Sequence, residues 1–302
     1  MKNGIIWQDI DGNDIQAHGG CILCCDGTYY WYGESYGYVG NEKNQSNLGV
    51  ACYSSKDLKN WIYEGMSLNV FTDRQWFEHD LYYKNVIQRP KVIYNSKTRK
   101  FMMYFHLDNP VYTRGAVGIA SSDTPTGEFY YIGAICPNFR HSHDMTVFAD
   151  DNGETYLFSS SDHNASLRVI KMAEDGLGFY NYSIVVSEKA GVATREAPVV
   201  FKLGGKYYLI TSGCSGWSPN RAKLMVADSI MGEWTDLGDP CIGENSETTF
   251  MSQGAFSFRR GDEIIFAADR WMPLELNKSG YVWLKIVFEN GVPTLCWQDE
   301  WR

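Results

Sequence analysis

The chain has 302 residues, of which 44% are hydrophobic, 21% charged and 15% aromatic, the make-up of a globular domain rich in packing rings. Its net charge of −9, with no basic stripe, argues against nucleic acid or an anionic membrane surface as partner. No stretch is long and apolar enough to span a bilayer and no apolar signal core opens the chain, so a cytoplasmic monomer is expected, with a signal removed ahead of Met1 left open.

Residues 1–17, with Asp9, Asp11, Gly12, Asn13 and Asp14, form a turn-rich lead-in. From His18 the sequence HGGCILCCDGTYYW reads as two strands around an Asp26-Gly27 hairpin turn, returning as far as Glu34. Cys21, Cys24 and Cys25 crowd the first of these strands and the other cysteines sit on distant ones, a scatter that suits reduced thiols packed in strands. A loop rich in glycine and asparagine, 35–47, leads to a second apolar stretch, Val50-Ala51-Cys52-Tyr53, and on to Trp61. A longer connection, 62–87, follows; loops of such length tend to be functional, and both are expected to help wall a pocket.

Gln88 then opens QRPKVIYNSKTRKFMMY, the same plan with a slightly longer turn. The plan recurs without a gap from Asp144 (DMTVFADDNGETYL), Glu196 (EAPVVFKLGGKYYL) and Gln253 (QGAFSFRRGDEIIF). Each copy is followed by a second apolar stretch that runs to an aromatic: Val117 to Phe129, Leu167 to Phe179, Leu224 to Trp234, and Tyr281 to Trp297. Two hairpins per copy make a four-stranded blade. Five copies, starting at 18, 88, 144, 196 and 253, predict an all-β, five-bladed β-propeller occupying 1–302 as one domain. The rival is a β-sandwich whose strands resemble each other by chance.

Equivalent positions in a rotationally repeated fold lie on a circle. With the first strand of each copy innermost, His18, Gln88, Asp144, Glu196 and Gln253 ring the mouth of the central channel. Core packing alone would make these positions apolar, yet all five are polar and two are carboxylic acids. Two carboxyls near one axis hold a proton between them and raise one pKa, which suits protonation of a glycosidic oxygen. The bland alternative is a hydrogen-bonded plug that closes the channel. The Asp150-Asp151-Asn152-Gly153 turn lacks the further ligands of a calcium loop and reads as a solvated hairpin turn. His141, His143 and Asp144 offer nitrogen and oxygen ligands at close spacing, but the third or fourth fixed ligand of a zinc site is missing. No metal and no cofactor is therefore expected, and His143 is read as a hydrogen-bonding or sugar-contacting group.

Several of these segments resemble glycoside hydrolase family 43, and within it the exo-β-1,3-galactanase branch. They are Gln16-Ala17-His18-Gly19-Gly20, Tyr29-Tyr30-Trp31-Tyr32-Gly33-Glu34, Arg89-Pro90-Lys91-Val92, Asp144-Met145, Arg195-Glu196-Ala197-Pro198, Ser212-Gly213-Cys214-Ser215-Gly216-Trp217, Ser252-Gln253 and Asp269-Arg270-Trp271. The resemblance spans all five copies and implies an inverting, exo-acting hydrolase that releases terminal β-linked galactose from β-1,3-galactan chains. It makes Glu196 the general acid, Asp144 the carboxylate that tunes it, and Gln253 the group that positions the water. Gln88, His18, Tyr112, Glu34, Ser215, Trp217, Asp269 and Trp271 become the substrate-binding residues, and an oligosaccharide or polysaccharide the partner.

The sequence departs from the wider family in having no acid at the start of blade one, and from the branch in carrying Gln88 where a glutamate is usual. A glutamine hydrogen-bonds a hydroxyl but takes no proton at neutral pH. Glu34 is the candidate substitute base, on an exposed strand; a structural or sugar-binding acid is its simpler reading. Two alternatives stay open: another family 43 exo-glycosidase, an α-L-arabinofuranosidase or β-xylosidase, and a carbohydrate-binding propeller with impaired catalysis.

Overall fold

The computed structural model describes residues 1–189, 192, 194–289 and 291–302. Its strands form five sheets, each built from consecutive segments. Blade one holds β1 (His18–Cys25), β2 (Thr28–Gly37), β3 (Ser46–Ser55) and β4 (Ile62–Asn69); blade two holds β5 (Val86–Asn95), β6 (Lys100–Asp108), β7 (Ala116–Ser122) and β8 (Tyr130–Ile135). Blade three holds β9 (Met145–Ala149), β10 (Thr155–Ser161), β11 (Ser166–Met172) and β12 (Phe179–Glu188). Blade four holds β13 (Glu196–Leu203), β14 (Lys206–Ser212), β15 (Lys223–Ala227) and β16 (Thr235–Gly238). Blade five is preceded by a short strand, β17 (Cys241–Ile242), and holds β18 (Gln253–Arg260), β19 (Glu263–Arg270), β20 (Gly280–Glu289) and β21 (Val292–Cys296). All pairs within blades are antiparallel except β17, which adds to β21 in parallel and gives blade five a fifth strand. This is the five-bladed propeller the repeats predict, and it disposes of the sandwich.

The core is divided among the seams between blades, which is why the chain needs so many rings. Trp7, Trp31, Trp61, Trp283 and Trp301 fill the seam where blade five meets blade one. Tyr32, Cys52, Val92 and Phe105 join blades one and two, and Tyr104, Val117, Val147 and Leu157 join two and three. Phe158, Val169, Leu209 and Met225 join three and four; Val199, Leu224, Phe266 and Leu284 join four and five. A blade sheet buried on both faces reads as a near-continuous apolar run rather than a clean alternation. That is the pattern of Phe101 to Phe105 and of Tyr281 to Leu284.

The ring is closed by the N-terminal segment. Ile5 bridges to Tyr281 and Lys2 to Glu300. The buried Asn3 side chain donates to the carbonyls of Trp283 and Gln298, at 3.0 and 2.9 Å, and accepts from the Trp283 amide at 2.9 Å. A primary amide thereby serves as a strand edge for blade five, satisfying backbone groups that would otherwise be orphaned in the seam.

The first strand of each blade lies innermost, beside the first strands of its neighbours. The residue that opens each repeat faces across the hairpin to a residue on the second strand: His18 to Glu34, Gln88 to His106, Glu196 to Ser212 and Gln253 to Asp269. In blade three the Ser160 amide donates to the Asp144 carbonyl at 2.9 Å, completing a second polar ring beneath the first. Directly after the opening residue, blades one, two and four carry a bulge with a left-handed residue: Gly19 (φ 56°), Arg89 (φ 54°) and Ala197 (φ 50°). The bulge re-aims the side chain before it, and two of the three positions are strained because they are not glycine.

Candidate active site

At the mouth formed by these strand starts lies a cleft of about 740 Å³ lined by Glu34, Gln88, Arg89, Tyr112, Asp144, Glu196, Trp217, Gln253 and Trp271. Four of the five predicted ring residues reach it. The opposite end of the channel opens into a cavity of about 1170 Å³ walled by Ile22, Leu23, Val92, Val147, Val200, Phe256 and other residues. Among the described residues its only carboxyl is that of Asp151, so the acids of the repeat positions converge at the other end.

The hub of the site is Arg89, buried at the bulge of β5. Its Nη2 donates to Asp144 Oδ2 at 2.8 Å and to Gln253 Oε1 at 2.6 Å, its Nη1 donates to the Gly254 carbonyl at 2.9 Å, and its backbone amide donates to Glu34 Oε1 at 2.8 Å. Three blades are thus tied to one guanidinium, whose planar fork serves several acceptors at once. Burial pushes the Asp144 carboxyl up, but the positive charge of Arg89 beside it outweighs burial and holds it below the usual range. Glu196 goes the other way: burial, then the charge of Asp144, push it up to about 7 against the pull of Arg89. One carboxyl is therefore ionised and its neighbour protonated near neutral pH, the division of labour an acid catalyst requires.

Glu196 is held by donors on both oxygens. Gln253 Nε2 donates to Oε1 at 3.1 Å and Asn164 Nδ2 donates to Oε2 at 3.2 Å. Gln253 Nε2 also donates to Ser212 Oγ at 3.0 Å, while its Oε1 accepts from Trp271 Nε1 at 3.1 Å as well as from Arg89. All four hydrogen-bonding valences of this amide are occupied by protein. Gln88 lines the cleft within hydrogen-bonding reach of the hydroxyls of Tyr36 and Tyr112. Trp217 and Trp271 meet edge to face with ring centroids 5.2 Å apart, a corner of the kind that receives the apolar face of a sugar ring.

Four of the residues expected in the site need correction. His18 does not line the cleft: it is fully buried, stacked on Tyr281 at 5.1 Å and 6.0 Å from Trp271. Asp269 lies beside it, 3.6 Å from His18 Nδ1 and accepting from the Gly19 amide at 3.0 Å. Both sit under Trp271 and support it, because the blade-one bulge at Gly19 draws the strand start down to Asp269. Ser215 also misses the cleft. Its hydroxyl donates to the Ser218 carbonyl and accepts from Asn220 Nδ2, pinning the loop from which Trp217 projects. Glu34 is not exposed: it is 0% exposed at the cleft floor, with Oε2 accepting from the Tyr36 hydroxyl, and burial pushes its carboxyl up to about 7.

Asp144 does not join His141 and His143, the ligand set weighed and set aside from the sequence: Asp144 turns to Arg89 and His143 to Asp108. The two long loops do wall a pocket. Tyr36, Glu42, Gln45, Tyr83, Asn85 and their neighbours line a groove of about 920 Å³ that runs into the cleft at Gln88, Tyr112 and Trp217.

Residues 18–260 match the profile of glycosyl hydrolases family 43. The chain belongs to glycosyl hydrolase family 43. Among solved family 43 structures, a β-1,3-galactosidase with galactodeoxynojirimycin is 35% identical with a TM-score of 0.91, the match covering 100% of this chain and 99% of that one. An exo-β-1,3-galactanase from Phanerochaete chrysosporium with galactose is 34% identical with a TM-score of 0.87, over 98% of this chain and 66% of that one. An exo-β-1,3-galactanase from Clostridium thermocellum is 34% identical with a TM-score of 0.84, over 98% of this chain and 64% of that one. No curated protein sequence matches the chain.

As a family 43 enzyme this protein is a glycoside hydrolase acting on an oligosaccharide or polysaccharide. The residues that sequence reasoning missed in its site are Arg89, Tyr36, Ser212 and Asn164. Ser212 carried a usable signal: it stands 16 residues after Glu196, as Glu34 stands 16 after His18 and Asp269 16 after Gln253. Asn164 carried none, because a hairpin turn of blade three has no repeat position to mark it.

Proposed function

We propose that the protein is an inverting, exo-acting hydrolase that removes terminal β-linked galactose from β-1,3-galactan chains. The observation that carries this reading is the pairing of Glu196, with its carboxyl pushed up to about 7, and ionised Asp144 in a cleft large enough for a sugar ring. The galactan specificity is supported by the likeness, at 33–35% identity, to solved enzymes described as β-1,3-galactosidases and exo-β-1,3-galactanases. Glu196 gives its proton to the leaving oxygen as the bond breaks, and Asp144 keeps that proton in place beforehand by its charge. The oxocarbenium-like centre is met from the opposite face by water, which gives its proton to solvent as the new C–O bond forms, and Glu196 regains its proton from solvent for the next turnover.

In this reading Gln253 and Gln88 hold that water. An inverting site separates acid and water-positioning group by about 6.5–9.5 Å, whereas Gln253 touches Glu196 at 3.1 Å. Sugar entry therefore has to replace that contact, freeing one Gln253 N–H for the water while Arg89 and Trp271 keep its oxygen fixed. Trp217 and Trp271 receive the ring, and Tyr112 and Gln88 its hydroxyls. Glu34, capped by Tyr36 and the Arg89 amide, serves as the floor that fixes Arg89.

The test is a panel of nitrophenyl glycosides and β-1,3-linked galacto-oligosaccharides, with the released anomer followed by NMR. Galactose released first as the α-anomer is expected. Release of arabinose or xylose without galactose would replace the substrate assignment, and a β-anomer would sink the inverting step.

A further inference from the structure

Four of the chain's six histidines gather at one place, between blades two and three. His106 leaves β6, His141 and His143 lie on the approach to β9, and His163 sits at the β10–β11 turn. The rings of His141 and His163 stand 4.5 Å apart at 76°, and that of His143 lies 5.9 Å from each. One ring nitrogen from each of the three falls within 4.8 Å of the others. His143 is 8% exposed, yet its Nε2 is buried without a hydrogen-bond partner. A buried ring nitrogen left unpaired costs about 1–3 kcal/mol unless something outside the chain satisfies it. The other nitrogen of the same ring, Nδ1, faces Asp108 Oδ2 at 3.7 Å, and that oxygen also meets His106 Nε2 at 3.2 Å. Asp108 is fixed in turn by the amides of Asn109 and Arg114, each donating to Oδ1 at 2.8 Å.

We propose that His141, His143 and His163 form a binding site for a divalent transition-metal ion of the Zn²⁺ class, with Asp108 as the carboxylate that orients His143. Three neutral imidazoles with a carboxylate behind one of them are the donor set such ions select, and hard ions such as Ca²⁺ avoid. Tetrahedral ligation at Zn–N distances of about 2.0–2.1 Å needs nitrogens about 3.3 Å apart. The exposed His163 and half-buried His141 close that distance by side-chain rotation, while buried His143 stays fixed. The site lies outside the cleft lining. It is nonetheless joined to it, since the residue after His163 is Asn164, which donates to Glu196. Asp162, His163 and Asn164 all have left-handed backbone, with φ of 55°, 55° and 63°. Runs of such residues persist only where the surroundings over-determine them, and a bound ion adds one such constraint.

The test uses the full chain, stripped with a chelator and titrated with Zn²⁺ by calorimetry, in parallel with His163→Asn and His141→Ala. Asparagine tolerates the left-handed backbone at 163, and neither residue is buried, so both variants keep the fold, as thermal unfolding without metal will verify. One equivalent of Zn²⁺ is expected for the wild type, with affinity falling at least 100-fold in either variant and about 10–100-fold in Asp108→Asn. The unfolding temperature should rise with Zn²⁺ in the wild type only. Because the eight cysteines are free thiols, Co²⁺ substitution provides the control: nitrogen and oxygen ligation shows no thiolate-to-metal charge-transfer band. No stoichiometric binding, equal affinity in His163→Asn, or a thiolate band from the bound ion would each overturn the proposal, whatever the enzyme's sugar proves to be.

Discussion

At the scale of single residues, the site works by keeping two carboxyls in opposite states. Glu196 is raised by burial and by Asp144, while Asp144 is lowered by Arg89. Glu196→Gln keeps the Gln253 contact, and the Asn164 contact once that amide turns its unpaired Oδ1 toward the new NH2 group, but it has no proton to give, so kcat should fall by about 10²–10⁴ with galactoside binding retained. Equal loss of binding and turnover would show a structural role instead. The acid must be protonated, so kcat/KM of the wild type should decline as pH rises through about 7; a profile flat to pH 9 would remove Glu196 from the role. Glu34 yields a separate, thermodynamic expectation. Its folded pKa is raised to about 7 by burial, so between the unfolded value and about 7 the native state binds the extra proton, and this contribution to stability falls as pH rises. Glu34→Gln lacks that proton, so its stability relative to wild type should climb by roughly 3 kcal/mol between pH 4 and pH 8. Urea unfolding at a series of pH values measures it.

At the scale of the element, the deciding feature is the bulge that follows the residue opening the repeat on the innermost strands. It turns Gln88 and Glu196 toward the axis and lets the Arg89 amide reach Glu34. In blade one the position is Gly19, at φ 56°, where an added Cβ would stand 2.1 Å from Glu34 Oε1. Gly19→Ala should therefore cost roughly 1–3 kcal/mol in backbone strain alone. It should also push Glu34 off Arg89 and lower kcat/KM, although residue 19 touches no substrate. Unchanged stability with unchanged kinetics would mean that the bulge has slack and does not fix the floor.

At the scale of the whole molecule, five seams share the burial and the ring closes without a strand exchanged between the chain ends. Closure rests on Asn3 and on the rings between blades five and one. Removing the Asn3 amide leaves the buried Trp283 N–H unpaired, and Asn3→Ala should cost about 1–3 kcal/mol. The loss should appear as a lower denaturant midpoint with kcat unchanged in dilute buffer, because the seam lies apart from the cleft. A midpoint equal to wild type would show that ring packing alone closes the propeller.

The repeats in the sequence determined the blade count, the innermost strands, and the four polar residues, Gln88, Asp144, Glu196 and Gln253, that meet at the cleft. They could do so because a strand's two-residue alternation and a blade's fixed offset convert sequence position directly into direction. Tertiary structure decided what the repeats treat as equal. His18 occupies the same slot as Glu196, yet the blade-one bulge buries it under Trp271. Arg89 looks like a motif residue but becomes the hub of the site, since only folding brings Asp144 and Gln253 to its guanidinium and Glu34 to its backbone amide. The third partner of His141 and His143 was likewise invisible: His163 lies 20 residues beyond His143, and a hairpin, not a spacing rule, returns it to them. Local pattern sets which way a side chain points; which charges share a buried space depends on contacts between blades, and no single blade's sequence encodes those.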